Sequence, residues 1–273
     1  MPELLCPVCG EKLNEEERRW FCPKGHSFDR AASGYVNLLI SHQNGKIHGD
    51  DKLMVRSRRE FLDGGYYEPL KEELCKTVSG YCKNKELSLL DSGCGECYYT
   101  SAVESFLLKQ GIDCNIVGID ISKDALKMGD RRGKNLKLAV ASAYRLPVGE
   151  ESCDVILNVF APFAGEEYSR CLKKGGVLIH VSPDEGHLWE LKQAVYEKPY
   201  LNDALPPKQE GLEIIEENQL RYRINIENNK DIKALFLMTP YAHKTSPQDM
   251  ARLEKLQKLN VAVEFVIRVY KKL

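Results

Sequence analysis

The sequence lacks any segment that would direct the chain into or across a membrane. No apolar run approaches the roughly 18 residues of a membrane span, and the opening stretch MPELLCPVCG has no basic region followed by an apolar core. An excess of charge of one sign is also lacking, because 39 Lys and Arg residues nearly balance 40 Asp and Glu residues and the formal net charge is −1. Repeats and low-complexity stretches are also lacking. We therefore expect a cytoplasmic chain with no membrane partner, built as one large domain or one domain with an appendage, on which any surface for nucleic acid is local.

The ten cysteines stand out from this ordinary composition. Without a secretion signal, metal binding and free thiols are favoured over disulfides. The pattern C-x2-C-x12-C-x3-H lies near the N-terminus, and its members are Cys6, Cys9, Cys22 and His26. A short hairpin would bring these two close pairs together as a closed tetrahedral site, which predicts a structural zinc ion. Residues 1–40 would then form a zinc-binding module that folds with the metal, followed by a polar linker at 41–54.

A glycine loop in the stretch LSLLDSGCGECYYT follows an apolar run and precedes a helical pattern. Gly93 and Gly95 would let the backbone approach a ligand, and the next helix would turn its free N–H groups toward it. The third glycine of a dinucleotide site is missing, and Asp91 and Glu96 would repel a pyrophosphate. The two carboxylates would suit the ammonium and sulfonium of S-adenosylmethionine. An ordinary tight strand-to-helix turn remains the alternative.

Strands and helices alternate with short loops from residue 55 to the C-terminus, which predicts an α/β fold with a parallel sheet. Polar residues fall at the predicted carboxyl ends of four strands, where such sheets bind ligands; they are Asp91, Asp120, Ser142 and Asn158. Asp120 would accept hydrogen bonds from ribose hydroxyls, and Ser142 lies in the loop where an adenine ring would rest. Two late strands match the Rossmann-like class I methyltransferase sheet, in which the last strand inserts antiparallel. Residues 55–273 would form this domain.

The chain also resembles the bacterial 23S ribosomal RNA (guanine-N1)-methyltransferases over nearly its full length. The resemblance rests on CPVC…CPKGHSFD, GYVNLL, RREFLDGGYYEPL, LDSGCGECYYT, GIDISKDALK, ASAYRLP and HLWELK. It implies a zinc-binding RNA-recognition module, a Rossmann-like domain that uses S-adenosylmethionine, and a homodimer with an RNA cleft between its protomers. It further implies methyl transfer to N1 of a guanine in hairpin 35 of 23S rRNA, with no role for DNA.

The resemblance assigns roles to single residues. Cys6, Cys9, Cys22 and His26 resemble its zinc ligands, and Tyr67, Gly95, Glu96 and His187 resemble its cofactor contacts. One position departs from the usual pattern, because Cys97 stands where such loops usually have glycine. A side chain there is expected to crowd the methionine end of the cofactor.

Guanine N1 is a poor nucleophile while it carries its proton, so transfer requires deprotonation or stabilisation of charge at O6. The sequence identifies no general base. Asn158 and the turn that ends at Phe163 would hold the base, and Phe160 or Phe163 could stack on it. The candidate cations for RNA are Arg18, Arg19, Arg56, Arg58, Arg59, Arg131, Arg132 and Lys134.

Three other functions stay open from the sequence. A small-molecule methyltransferase would use zinc for stability alone, and a non-catalytic zinc-containing ribosome-binding protein would bind no cofactor. A redox protein would use the C-x-x-C pair Cys94 and Cys97, because a helix start lowers the pKa of a thiol.

Overall fold

The computed structural model describes residues 2–40, 49–82, 85–129, 132–133 and 135–273, and the side chains of 243 and 244 are not described. Most of the predicted linker and two candidate RNA-binding cations, Arg131 and Lys134, lie outside the described residues.

The described part of the chain forms two sheets and a set of helices. The strands are β1 (Asn14–Glu15), β2 (Arg19–Phe21), β3 (Ser27–Asp29), β4 (Val36–Asn37), β5 (Glu86–Ser92), β6 (Asp113–Asp120), β7 (Lys137–Val140), β8 (Cys153–Val159), β9 (Leu172–Pro183), β10 (Leu212–Ile226) and β11 (Leu259–Lys272). The helices are α1 (Lys52–Asp63), α2 (Glu68–Gly80), α3 (Tyr98–Lys109), α4 (Lys123–Gly129), α5 (Gly165–Cys171), α6 (Trp189–Val195), α7 (Asn229–Leu237) and α8 (Pro247–Lys255), with a 3-10 helix at Pro240–Lys244. No helix in the described ranges is long and apolar enough to cross a membrane.

The large sheet has the strand order β10-β11-β9-β8-β5-β6-β7-β4. Strands β5 to β9 run parallel, and β11 lies antiparallel between β9 and β10. This order confirms the predicted Rossmann-like methyltransferase sheet. Strand β5 pairs with β6 on one side and with β8 on the other, so the strand order reverses at β5. The loops after β5, β6 and β8 therefore lie together at one edge of the sheet, where a ligand crevice forms.

Both faces of this sheet are covered, which explains why its central strands are apolar runs rather than alternating patterns. Leu89 of β5 packs into a core with the helices α1, α2, α3, α6 and α7 on one face. Leu90 packs into a second core on the opposite face, and Leu4 and Trp20 of the N-terminal region belong to this same core. Leu89 and Leu90 are both fully buried.

The N-terminal module is joined directly to the edge of the large sheet. Strand β4 pairs in parallel with β7, with Val36 opposite Ala139. The Leu5 amide donates to the Pro147 carbonyl at 2.8 Å. The zinc-ligand region therefore rests on the loop that follows β7.

The boundary between the linker and the second domain differs from the prediction. Helix α1 begins at Lys52, inside the predicted linker, because the Asp51 carboxylate caps it by accepting from the Met54 amide at 2.9 Å. Strand β9 begins at Leu172 and has a register irregularity against β8 near its start. Helix α6 begins at Trp189, two residues after His187.

Candidate functional site

The predicted zinc ligands converge in space. The ligand atoms of Cys6, Cys9, Cys22 and His26 all lie within 4.8 Å of one another. The Sγ atoms of Cys9 and Cys22 are 3.6 Å apart, and Cys22 Sγ is 3.3 Å from His26 Nδ1. An ion bonded at roughly 2.0–2.3 Å to three sulfurs and one nitrogen fits this spacing. With four protein donors the site is closed, so the zinc would be structural.

Close approach explains the first glycine of the loop after β5. Gly93 has φ +87°, and a Cβ there would meet the Ala161 Cβ at 2.3 Å. The loop after β5 thus packs against the turn after β8 with only hydrogen between them. Gly95 has φ +54°, and the nearest atom to a Cβ there is an Arg58 guanidinium nitrogen at 3.9 Å. Gly93 thus requires glycine because of this close approach, whereas Gly95 has only the positive φ that glycine favours, with no close contact.

Asp91 ends β5 as a buried carboxylate that is only half satisfied. Its Oδ2 accepts from Thr100 Oγ1 at 2.6 Å, whereas Oδ1 is buried without a hydrogen-bond partner among the described residues. Burial raises its pKa to about 7, against the Thr100 hydrogen bond that lowers it. An unpaired carboxylate oxygen beside a glycine loop fits a ligand ammonium, which agrees with a cofactor that carries one.

Asp120 at the end of β6 organises the glycine loop. Its carboxylate accepts from the Gly95 amide at 2.8 Å and from the Ser122 amide at 2.7 Å. Burial raises its pKa, although these two amides lower it. Each oxygen carries one of these bonds and keeps lone-pair capacity for a ribose hydroxyl.

Glu96 does not present a free negative charge to the crevice. Arg132 donates to both of its oxygens at 2.8–3.2 Å, and Arg59 lies 3.7 Å away. Burial raises the pKa of Glu96, and the charge of Arg132 opposes that shift. The expected attraction of this side chain for a cationic cofactor is therefore cancelled by arginine. Its backbone can still contact the ligand.

The Cys97 thiol does not line the crevice, contrary to the expected crowding. Cys97 caps α3 with φ +62° and is fully buried, and a Cβ at Gly129 of α4 would lie 2.7 Å from its sulfur. Cys94 is 9% exposed, and burial holds its pKa well above the ordinary value. A reactive dithiol needs an exposed, low-pKa sulfur, so the redox interpretation fails.

Tyr67 and His187 meet across 120 residues of sequence. The Tyr67 hydroxyl is 3.4 Å from His187 Nε2, and His187 Nδ1 accepts from the Glu264 amide at 3.1 Å. Burial lowers the pKa of His187 to about 3, so the ring is neutral with its proton on Nε2. Both side chains are buried, and the rings of Phe61 and Phe265 pack on Tyr67. They form the wall of the crevice beside α1 and β11.

Ser142 shapes the loop after β7. Its hydroxyl accepts from the Tyr144 amide at 3.2 Å and its carbonyl accepts from the Arg145 amide at 3.1 Å. The residue is 7% exposed. Its side chain holds the loop where adenine was predicted, and this loop is the one on which the zinc-ligand region rests.

Asn158 lies beneath the turn after β8, and both polar atoms of its side chain are already bonded to protein groups rather than free for a base. It is fully buried, its amide nitrogen donates to Tyr168 Oη at 2.8 Å and to the Pro162 carbonyl at 3.2 Å, and its Oδ1 accepts from His180 Nδ1 at 2.7 Å. Burial lowers the pKa of His180 to about 4, which keeps it a neutral donor. The predicted base-holding role is therefore corrected to support of the turn.

The two phenylalanines of this turn have different positions. Phe163 is partly buried and packs on the core against Tyr168, His180 and Tyr270, with ring centroids 5.3–5.7 Å away. Phe160 is 44% exposed and has φ +55°. A bulky residue in the left-handed region is strained, and such strain persists where function requires it. Phe160 is thus the ring available for stacking.

Two polar groups at the crevice were missed as ligand contacts from the sequence. Arg58, predicted only as a cation for RNA, points at Gly95, where it pairs with the Asp50 carboxylate and donates to the Met238 carbonyl at 3.2 Å. The Tyr99 hydroxyl, on the first turn of α3, is buried without a partner among the described residues. No sequence pattern marks either residue, because their surroundings depend on segments that are distant in the chain.

The predicted RNA cations do not act as one group. Arg59 and Arg132 are turned inward to Glu96, as described above. Arg18, Arg19 and Arg56 are exposed, although Arg19 pairs with Glu16 and Arg56 with Glu60.

Comparison with family models agrees with both parts of the site. A zinc-ribbon model described as RlmA, N-terminal, matches residues 4–45, which contain the four metal ligands. A model described as Methyltransferase domain matches residues 90–180, from the end of β5 into β9.

Three curated relatives match most of this chain. A Streptomyces fradiae protein named 23S rRNA (guanine(748)-N(1))-methyltransferase is 29% identical over 277 residues, which cover 97% of this chain and 95% of the relative. A Micromonospora griseorubida protein with the provisional name 23S rRNA (guanine-N(1)-)-methyltransferase is 33% identical over 210 residues, or 70% of this chain and 69% of the relative. YxjB of Bacillus subtilis (strain 168), with the same provisional name, is 29% identical over 278 residues, or 97% and 95%.

Proposed function

The chain belongs to the family of 23S rRNA (guanine-N1)-methyltransferases, and on that premise we propose that it methylates N1 of a guanine in 23S rRNA. The observation that carries the proposal is the joining of a closed Cys3His cluster to a methyltransferase sheet whose glycine loop directly follows a half-satisfied buried carboxylate. Zinc could stabilise an enzyme of either kind, so RNA is favoured over a small molecule by the relatives named 23S rRNA (guanine-N1)-methyltransferases.

Residues around the loop would hold S-adenosylmethionine. Asp91 offers its unpaired oxygen to the ammonium, Arg58 is the guanidinium beside Gly95 for the carboxylate, and Asp120 takes the ribose hydroxyls. When bound, the cofactor supplies a methyl group on a sulfonium leaving group. Zinc would be held by the four N-terminal ligands and would supply folding energy to the module.

The protein's own part in the chemistry is placement. The turn after β8, supported by Asn158, would hold Phe160 against the face of the guanine. Because N1 lies on the pairing edge, a paired target would have to be freed from its helix first. Transfer would form the bond from N1 to the methyl carbon and break the sulfonium–methyl bond, leaving a neutral thioether, while the N1 proton would pass to solvent.

We extend the proposal to the finer points that the resemblance implies. The target guanine lies in the hairpin 35 region, the zinc module recognises the RNA, and a homodimer forms the RNA cleft. The enzyme would act in the cytoplasm, where 23S rRNA is made. The exposed cations Arg18, Arg19 and Arg56 are the candidates for phosphate contacts.

The test is methyl transfer from labelled S-adenosylmethionine to unmodified 23S rRNA, followed by reverse transcription. N1-methylguanine blocks base pairing, so we expect a new stop one nucleotide before a hairpin 35 guanine. Labelling without a stop would place the methyl group off the pairing edge and refute the N1 assignment.

A pair of glycine variants provides the matched control. Gly93→Ala should abolish transfer, because its Cβ would meet Ala161 at 2.3 Å. Gly111→Ala should retain transfer, because Gly111 also has a positive φ but nothing lies within 4 Å of its Cβ position. Equal losses in the two variants would mean that backbone strain, rather than the crevice, explains the effect.

A further inference from the structure

Tyr99 differs from the other tyrosines around the crevice. The hydroxyl of Tyr66 donates to Asp231 at 2.8 Å, that of Tyr222 to the Tyr66 carbonyl at 3.1 Å, and that of Tyr98 to Glu68 at 3.4 Å. Tyr67 contacts His187. The Tyr99 hydroxyl alone among these five is buried without a partner in the described part of the chain. Buried hydroxyls are normally satisfied, so one that is not calls for a ligand.

The surroundings of Tyr99 are suited to binding the base that accepts the methyl group. Its ring lies 6.5 Å from that of Phe160, with an angle of 66° between the planes. Phe160 is the exposed, strained ring of the turn after β8. A base stacked parallel on Phe160 would therefore present its edge to the inclined Tyr99 side chain. Tyr67 and Tyr222 also lie near Tyr99, so the space is walled by aromatic rings.

Tyr99 is suited to donate a hydrogen bond rather than to remove a proton. Burial raises its pKa well above the ordinary value, and the nearby tyrosines raise it further against the charge of Arg58. The hydroxyl stays protonated under working conditions. It follows the glycine loop directly, on the first turn of α3, so its position is set by the same loop that would hold the cofactor.

We propose that the Tyr99 hydroxyl donates a hydrogen bond to O6 of the target guanine while Phe160 stacks on the base. This inference rests on the proposed function, because it assumes a guanine acceptor. When N1 loses its proton, negative charge spreads to O6, and a fixed donor there stabilises the charge as it develops. Tyr99 would thus assist deprotonation of N1 without being the base.

The test compares Tyr99→Phe with the adjacent control Tyr98→Phe. Both remove one hydroxyl from the first turn of α3, but the Tyr98 hydroxyl faces Glu68, away from this site. We expect Tyr99→Phe to lower kcat about 100-fold, as loss of an oxyanion donor does, with the Kd for S-adenosylmethionine unchanged. Tyr98→Phe should behave like the wild-type enzyme. The thermal midpoint should not fall in Tyr99→Phe, because the hydroxyl has no protein partner to lose.

Binding provides a readout that does not depend on turnover. A hairpin RNA with 2-aminopurine at the target position lacks O6 and should bind the wild-type enzyme more weakly than the guanine RNA. Because 2-aminopurine also lacks the N1 proton, the difference between the two RNAs should shrink in Tyr99→Phe rather than vanish, since only the donor for O6 is gone.

The outcomes separate this inference from the function on which it rests. No transfer to 23S rRNA by the wild-type chain would refute the proposed function and this inference together. Normal wild-type transfer with unchanged kcat in Tyr99→Phe would refute only the inference. A weaker Kd for S-adenosylmethionine in Tyr99→Phe would assign the hydroxyl to the cofactor instead. A difference in binding between the guanine RNA and the 2-aminopurine RNA that is undiminished in Tyr99→Phe would likewise exclude contact with O6.

Discussion

Replacement of Asp91 by asparagine tests whether ionisation of this buried carboxyl lowers the free energy of unfolding. The folded protein raises the pKa of this carboxyl from 3.8 to about 7 through burial. Because the folded pKa exceeds the unfolded one, the folded state retains the proton longer. The stability associated with that proton is fully present below about pH 3.8 and is lost as the pH rises through about 7.

The magnitude follows from linkage. Between about pH 5 and pH 8, a pKa of about 7 in the folded state against 3.8 in the unfolded state reduces the unfolding free energy by about 2 to 3 kcal/mol. Asp91→Asn does not titrate, and its amide oxygen can still accept from Thr100. Burial of the asparagine amide also changes the unfolding free energy of the variant, but this change does not depend on pH.

The assay is urea unfolding of the zinc-loaded protein and the Asp91→Asn variant across this pH range. The difference between the two unfolding free energies cancels the buried histidines, which both proteins share. We expect the variant to gain about 2 to 3 kcal/mol relative to the wild type between about pH 5 and pH 8. A difference that does not change with pH would refute the assignment of an unpaired, titrating carboxylate. Saturating S-adenosylmethionine should diminish the difference, because its ammonium would stabilise the ionised form.

Three further predictions concern single residues. Cys9→Ser removes one of four zinc ligands, so it should lower both the thermal midpoint and the zinc content measured by atomic absorption. A strong chelator should have the same two effects on the wild type. A thermal midpoint that does not change on chelation would show that the module folds without metal. Glu96→Gln removes the buried partner of Arg132 but leaves its pair with Asp63, so it should cost about 1 to 3 kcal/mol in urea unfolding, whereas a cost near zero would mean that solvent screens the pair. Cys97→Gly should leave cofactor affinity unchanged in calorimetry, because the thiol faces Gly129 rather than the crevice; a large gain in affinity would restore the predicted clash.

Interactions between residues close in sequence were predictable. The spacing of the four zinc ligands sets a short hairpin between two close pairs, so the cluster could be read from the sequence. The strand-loop-helix order around Gly93 and the strand-end positions of Asp91 and Asp120 were likewise predictable, because parallel strands bring their carboxyl ends to one edge.

The state of each side chain at the crevice depended on partners far away in the chain. Glu96 is neutralised by Arg132 and Arg59, 36 and 37 residues away, so its local context gave the wrong electrostatic role. Asn158 has the expected strand-end position, but its hydrogen bonds to Tyr168 and His180 bury it under the turn.

The sequence by itself determined the zinc site, the class of fold and the position of the cofactor loop. These depend on spacing and on the two periods of secondary structure, which are local properties of the chain. Only the tertiary structure decided which phenylalanine faces solvent, and which carboxylate oxygen and which tyrosine hydroxyl lack a partner among the described residues. Burial and pairing arise when distant segments pack together, so Asp91, Phe160 and Tyr99 acquired their distinct roles only in the folded protein.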